Sequence, residues 1–259
     1  MIRLFGYFFG IGTVFALMAA GGVGWYVASM SQDLPDYQVL EKYEPPVMTR
    51  IHASDGGLMA EYAKERRLYL PIQAMPERLK WAFLSAEDKN FYDHHGIDLE
   101  GIARAALVYV KGGPMQGGST ITQQVAKNFL LTNERSMERK VKEAILSLRI
   151  EQAYTKDHIL ELYLNEIYLG LGSYGVAAAS LTYFNKSVNN LDIQEAAYLD
   201  ALPKAPSNYD PYRNPDEAIG RRNWVIQRMV ENGIITQAEA NEAGAKPLGI
   251  KARSSNAYV

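Results

Sequence analysis

The chain has 259 residues, 47% of them hydrophobic and 22% charged, with a formal net charge of -2. That balance excludes a disordered chain, and 21 Gly with 11 Pro excludes collagen-like and low-complexity chains. Near-neutral charge gives no reason to expect nucleic acid, and the absence of Cys removes disulfides, thiolate zinc sites and a cysteine nucleophile.

No charged residue occurs between Leu4 and Gln32. This run is long enough to cross about 30 Å of hydrocarbon, and Trp25 and Tyr26 near its end suit an interfacial belt. It exceeds the apolar core of a cleaved signal and carries no clean A-x-A site, so residues 1–32 read as a transmembrane signal anchor. Arg3 votes for an N-terminus in the cytoplasm, which puts the rest of the chain on the outer face of the cytoplasmic membrane. Residues 33–46, with three Pro and no helical period, read as an extended linker. Two alternating runs around Asp55-Gly56-Gly57 predict a hairpin within 47–72. Beyond Pro76 the period becomes helical, with helices expected at 77–92, 98–110, 119–131, 135–154, 157–165, 173–184, 191–201 and 215–231. Thr236 and Glu239 form a capping box for a last short helix. The glycines of 111–118 predict a mobile loop, and the pattern fades after Gly244, so 246–259 reads as the truncated start of a further region.

Four segments could carry chemistry. In AEDKNFYDHHG, Glu87 follows an apolar run, and a carboxylate at the rim of apolar packing suits a general acid or base. Asp88 and His94 read as hydrogen-bonding groups. The adjacent rings of His94 and His95 diverge, and no second His pair at i,i+4 supports a metal. In GGSTITQQVAKN, two glycines and Ser119-Thr120 open a helix whose N-terminal N–H groups could hold an anion, although the P-loop spacing is absent. Four-residue steps advance ~40° around a helix, so Arg135, Arg139 and Glu143 share one stripe, with Met137, Val141, Ala144, Ile145 and Leu148 forming an opposite apolar face. Asn165 and Tyr168 are polar groups that need partners near a helix end at Gly170. Taken singly, each segment also has an ordinary structural explanation.

Their order and spacing are more specific. EDKNFYDHHG, GGSTITQQVAKN, RKVKE, YLNEIYLG and QEAAYLDALPKAPSNYDP succeed one another as in the peptidoglycan glycosyltransferases, family 51, of class A penicillin-binding proteins and monofunctional transglycosylases. The resemblance covers residues 40–245, and it departs at LDALPKAP, where LAGLPKAP is more usual.

The resemblance implies a mainly α, lysozyme-like, two-lobed domain over 47–245 with a small β hairpin. It implies polymerisation of lipid II into β-1,4 glycan strands with release of undecaprenyl pyrophosphate. Glu87 matches the catalytic base, and Glu143 matches the glutamate that assists leaving-group departure, directly or through a divalent cation such as Mg or Mn. Lys127, Arg135, Arg139 and Lys140 fall where the family places cations. Ser119, Gln123, Gln124 and Asn128 would line the cleft, with Asp88, Phe91, Asn165 and Tyr168 as further binding residues. The partners implied are lipid II, the growing strand, membrane lipid and cell-wall synthesis proteins of division or elongation, with no nucleotide. The rivals are a lytic glycosidase, for which a cationic stripe has no pyrophosphate to neutralise, and an idle membrane-anchored scaffold. Neither S-x-x-K nor K-T-G occurs, and Ser187-Val188-Asn189 and Ser254-Ser255-Asn256 are chance S-x-N matches, so no transpeptidase is expected in this chain.

Overall fold

A computed structural model describes residues 2–41, 43, 49–52, 54, 58–62, 66–113, 117–132 and 136–251. Helix α1 (Ile2–Met30) is long and apolar enough, over Ile11–Met30, to cross a membrane, and Trp25 near its end is 74% exposed. The segment that follows differs from an extended linker. It makes a 3-10 turn at Tyr37–Leu40, capped by Asp36, and Leu40 is buried in the core. The Arg149 guanidinium donates to Ser31 Oγ at 2.5 Å, and Tyr154 Oη donates to the Tyr37 carbonyl at 3.1 Å. The end of α1 and the turn after it are thereby strapped to the helix that bears Arg149 and to Tyr154, the residue that caps its C-terminus.

The expected hairpin forms, with β1 (Thr49–His52) antiparallel to β2 (Leu58–Tyr62) and a register shift between Ile51 and His52. Its predicted turn, Asp55–Gly57, lies outside the described residues. A second small sheet was not legible: β3 (Arg66–Arg67) runs parallel to β4 (Ser173–Tyr174). The helix expected from 173 therefore begins as α7 (Val176–Phe184), after Gly175 at φ +77°. A Cβ at Gly175 would stand 2.4 Å from the Asn165 carbonyl oxygen, so the turn requires glycine.

The remaining helices follow the sequence pattern, and all but α2 and α9 have side-chain-capped starts. They are α2 (Glu77–Glu87), α3 (Leu99–Val110, capped by Asp98), α4 (Ile121–Leu130, Thr120), α5 (Met137–Ala153, Ser136), α6 (Lys156–Glu166, Thr155), α8 (Ile193–Ala201, Asp192), α9 (Pro215–Glu231) and α10 (Gln237–Ala245, Thr236). Helix α2 packs on α8 and α9, with α10 closing on α9, while α4 packs on α5 and α6. One apolar cluster runs through both groups, from Phe83 and Leu199 to Val125, Leu146 and Leu164. Helix α3 buries none of its residues: Leu99, Leu107 and Val110 are 73%, 61% and 82% exposed.

Residues 246–251 are not a free tail, because Leu248 is buried and Lys251 N donates to the Tyr183 carbonyl at 2.8 Å. Arg222 of α9, fully buried, reaches the carbonyls of Lys246 at 2.7 Å and Gly244 at 2.9 Å, satisfying the C-terminal end of α10. Arg222→Ala leaves those carbonyls unpaired beside a cavity, and a loss of about 3 kcal/mol or more is expected in chemical denaturation.

Candidate active site

The site is built around the end of α2. Asp88 leaves the helix at φ -158°, ψ 74°, so α2 stops at Glu87 rather than running on to 92. The buried Asp88 carboxylate accepts the Ile121 N–H, the first of α4, at 2.9 Å, and meets His94 Nε2 at 2.9 Å. His94 Nδ1 accepts the Gly96 N–H at 3.1 Å, so Nε2 carries the proton that is donated to Asp88. Gly96, at φ +89°, lies against α5, where a Cβ would stand 2.8 Å from the Ser147 carbonyl group. Thr120 Oγ donates to the Gly96 carbonyl at 2.6 Å. The loop 88–96 thus locks α2, α4 and α5 together behind Glu87.

The start of α4 is not the open anion site that its glycines and hydroxyls suggest. Asp88 takes the Ile121 N–H, Thr120 Oγ takes the Gln123 N–H at 3.1 Å, and Gln123 Oε1 accepts the Thr120 N–H at 3.1 Å. The helix dipole there faces a buried protein carboxylate.

One turn further along α4, Gln124 Nε2 donates to Glu87 Oε2 at 2.9 Å. The second carboxylate, Glu143 of α5, is buried, with 3% of its surface exposed. Lys140 Nζ sits 2.8 Å from Glu143 Oε2 and also donates to Ser119 Oγ at 2.9 Å. Arg139 Nε lies 3.4 Å from Glu143 Oε1, too far and too poorly aligned for a hydrogen bond, and that oxygen is otherwise unpartnered among the described residues. Lys127, two turns into α4, lies within electrostatic range of both carboxylates. Burial pushes its ammonium below the ordinary lysine value, and Arg139 and Lys140 push it the same way, against the pull of Glu143 and Glu87. No carboxylate of the described residues reaches ion-pair distance of Lys127. Glu87 held by Gln124, Glu143 beside Arg139 and Lys140, Ser119 on Lys140, and Lys127 in electrostatic range of both carboxylates therefore form one linked constellation. Glu143, a lone carboxylate already facing two cations, is a poor cradle for a divalent ion, and no cluster of three or more His, Asp or Glu occurs among the described residues.

The other expected binding residues fall elsewhere. Phe91 is wholly buried, its ring 5.2 Å from Tyr92 and under the Lys156 ammonium at 4.4 Å. Asn165 clips both backbone groups of Leu70 at 2.8 Å, as a strand would, and donates to the Glu161 carbonyl at 2.9 Å. With Asp88 and Gln123, these two pack or hydrogen-bond within the scaffold. Asn128 is exposed on α4, and Tyr168 is exposed beside Tyr174. Arg135, and residues 114–116 of the glycine-rich loop, lie outside the described residues. The apolar face expected on α5 is reversed. Its buried residues are Glu143, Leu146, Ser147 and Ile150, whereas Met137 is 80% and Leu148 42% exposed.

Two groups behind Glu87 escaped the sequence reading. Tyr163 of α6 packs its ring edge-on to Phe83, one turn before Glu87, at 6.2 Å, and its buried hydroxyl has no hydrogen-bond partner among the described residues. Asp200 of α8 is fully buried, with neither oxygen hydrogen-bonded among the described residues. The departure from the family pattern at Asp200 was the only signal that pointed there.

A family model described as Transglycosylase matches residues 55–230. The chain is 51% identical over 247 residues to penicillin-binding protein 1A of Rickettsia bellii, covering 94% of this chain and 31% of that protein. It is 47% identical to penicillin-binding protein 1A of Aquifex aeolicus over 242 residues, 93% of this chain and 33% of that one. Against penicillin-binding protein 1A of Escherichia coli K12 it is 44% identical over 237 residues, 91% of this chain and 28% of that one. A crystal structure of penicillin-binding protein 1A from Haemophilus influenzae aligns with a TM-score of 0.48 and 28% identity, over 82% of this chain and 22% of that one. The chain belongs to the transglycosylase family and spans about a third of the length of the curated relatives it matches.

A charged Lys127 with its pKa depressed by burial weakens the fold at neutral pH. That penalty is relieved as pH rises from the folded-state value toward the unfolded one. Lys127→Met is accordingly expected to raise the thermal unfolding midpoint at pH 7, by an amount that shrinks toward pH 10, while weakening inorganic pyrophosphate binding in a calorimetric titration. A midpoint that falls at pH 7 would contradict this account.

Proposed function

We propose that the chain is an inverting peptidoglycan glycosyltransferase that polymerises lipid II into β-1,4 glycan strands and releases undecaprenyl pyrophosphate. The observation that carries this reading is the constellation itself: a half-buried carboxylate held by Gln124, a buried carboxylate with its cations, and Lys127 in range of both. Glu87 takes the proton of the acceptor's 4-hydroxyl, and Gln124 holds the carboxylate in place. The freed oxygen attacks C1 of the donor sugar from the face opposite the pyrophosphate. The C1–oxygen bond breaks, and its electron pair leaves with the pyrophosphate. Lys127, Arg139 and Lys140, joined by Arg135, neutralise the charge that gathers there, a preorganised electrostatic stabilisation that costs no reorientation at the moment of reaction.

Glu143 keeps Arg139 and Lys140 aimed at that position. An α-linked donor and a β-linked product require one displacement and no glycosyl-enzyme, as in inverting glycosidases with a sugar hydroxyl in place of water. The donor is already activated, so no nucleotide is needed outside the cytoplasm. Helix α1 anchors the domain, and the outward apolar residues of α3 and of α5 hold the cleft at the headgroups, where lipid-linked substrates lie. A glycan-cleaving reading leaves three clustered cations without a task.

Glu87→Gln keeps the shape and the Gln124 contact but cannot take a proton. Polymerisation of lipid II by purified protein in detergent, read as a glycan ladder on a gel, should fall by about 10²–10⁴-fold, with the circular dichroism spectrum unchanged. A ladder of wild-type intensity from Glu87→Gln would sink the assignment of the base.

A further inference from the structure

The chain is pinned to the domain as soon as it leaves its apolar helix. Ser31 N donates to the Val27 carbonyl at 3.0 Å, so the hydrogen-bond ladder of α1 continues into Ser31. The Arg149 guanidinium of α5 holds that same residue, through its side-chain oxygen at 2.5 Å and its carbonyl at 3.5 Å. Further on, the Tyr37 carbonyl accepts the Tyr154 hydroxyl at 3.1 Å, and Leu40 is buried in the core. Tyr43 stands edge-on to Phe129 of α4 at 4.7 Å, and its hydroxyl donates to Glu166 of α6. Ser31, Tyr37 and Tyr43 are thus fastened in turn to α5, to its C-cap, and to α4 with α6.

Two of those helices carry the site. Helix α5 bears Arg139, Lys140 and Glu143, and α4 bears Gln124 and Lys127. Ser31 is the first residue past the apolar span, so its bonds tie that level of the membrane to a fixed point on α5. Glu143 lies six residues before Arg149, so whatever the tilt of α5 their backbones differ in depth by no more than about 9 Å, at ~1.5 Å per residue. The headgroup layer on each side of a bilayer is about 5–8 Å deep. The cations are therefore held within reach of the layer where a lipid-linked pyrophosphate lies. The exposed apolar residues of α3 and α5 draw the domain to lipid, but hydrophobic contact is non-directional and does not set a height. Hydrogen bonds to the end of the membrane helix are directional and do.

We propose that Arg149 and Tyr154 are positioning residues that gauge depth: they lock the end of α1 to α5 and so hold Arg139, Lys140 and Glu143 level with the pyrophosphate of a membrane-embedded substrate. This rests on the reading of that cluster as the pyrophosphate site. With both contacts gone, Met30 is joined to the buried Leu40 by nine residues of slack chain, and the domain samples many heights. A competent fraction reduced to about a tenth raises the apparent KM about tenfold, while the competent molecules keep their kcat. In a detergent micelle no bilayer plane relates anchor to substrate, so the same loss costs nothing there.

The test uses the full chain with Met137→Cys, a position 80% exposed on α5 and outside the site. The protein has no other Cys, so one nitroxide reports the depth of α5. This parent is compared with Arg149→Met, Arg149→Lys and the paired Ser31→Ala/Tyr154→Phe, in phosphatidylglycerol-containing vesicles and in detergent. The near-isosteric pair carries the comparison if Arg149→Met does not fold. In vesicles, Arg149→Met and the pair should raise KM for lipid II about tenfold with kcat kept, and Arg149→Lys should recover most of the loss. KM in detergent and inorganic pyrophosphate binding should not move. The accessibility of the label to oxygen, relative to a nickel chelate, should spread over a wider range of depths. An unchanged label profile would overturn the proposal, as would a KM that stays constant in vesicles or rises equally in both media. A shifted label profile with no lipid II turnover by the parent would support the depth lock and count against the proposed reaction instead.

Discussion

The arrangement of the site hangs on one buried carboxylate. Asp88 ends α2, receives the first N–H of α4 and accepts a hydrogen bond from His94 Nε2. A buried carboxylate must be fully hydrogen-bonded or it will not stay ionised and buried, and this requirement leaves the three elements little freedom. Because Asp88 is committed to the scaffold, its neighbour Glu87 stands at the helix end with Gln124 as its one hydrogen-bond partner among the described residues. Two adjacent acids thus divide the work: one builds the joint and the other stands free at it.

Much of the fold was legible because its signals are local. Caps at Asp98, Thr120, Ser136, Thr155 and Thr236 stand where the sequence places Ser, Thr or Asp before a periodic run. Motif order singled out Glu87 and Glu143, and the structure sets them at the end of α2 and on the buried face of α5. What failed was information that only tertiary contact supplies. The two-residue pairing of Arg66–Arg67 with Ser173–Tyr174 is too short to leave a period. Asn165 and Gln123 are polar residues in a motif, and sequence cannot tell a side chain that clips Leu70, or caps its own helix, from one that faces a ligand. Asp200 is a departure from the family pattern in the sequence, and only the fold shows that it is buried.

Helix α5 shows why amphipathic reasoning ran backwards. A periodic apolar face normally predicts the core, but that rule assumes water on the other side. Here the inward face carries Glu143, with Arg139 and Lys140 upon it, while Met137 and Leu148 point out. Glu143 stands on that inward face beside the core residues Leu146 and Ile150, and the exposed Met137 and Leu148 lie on the same helix to which the end of α1 is strapped through Arg149 and Ser31.

That outward face carries a practical consequence for handling the protein. Cutting the chain after Met30 would remove the anchor but leave Leu99, Leu107, Val110, Met137 and Leu148 bare. It would also cut away Ser31's neighbours at the point where Arg149 finds its partner. Such a fragment would trade one greasy segment for a sticky globule, prone to self-association in plain buffer and dependent on detergent for monodispersity.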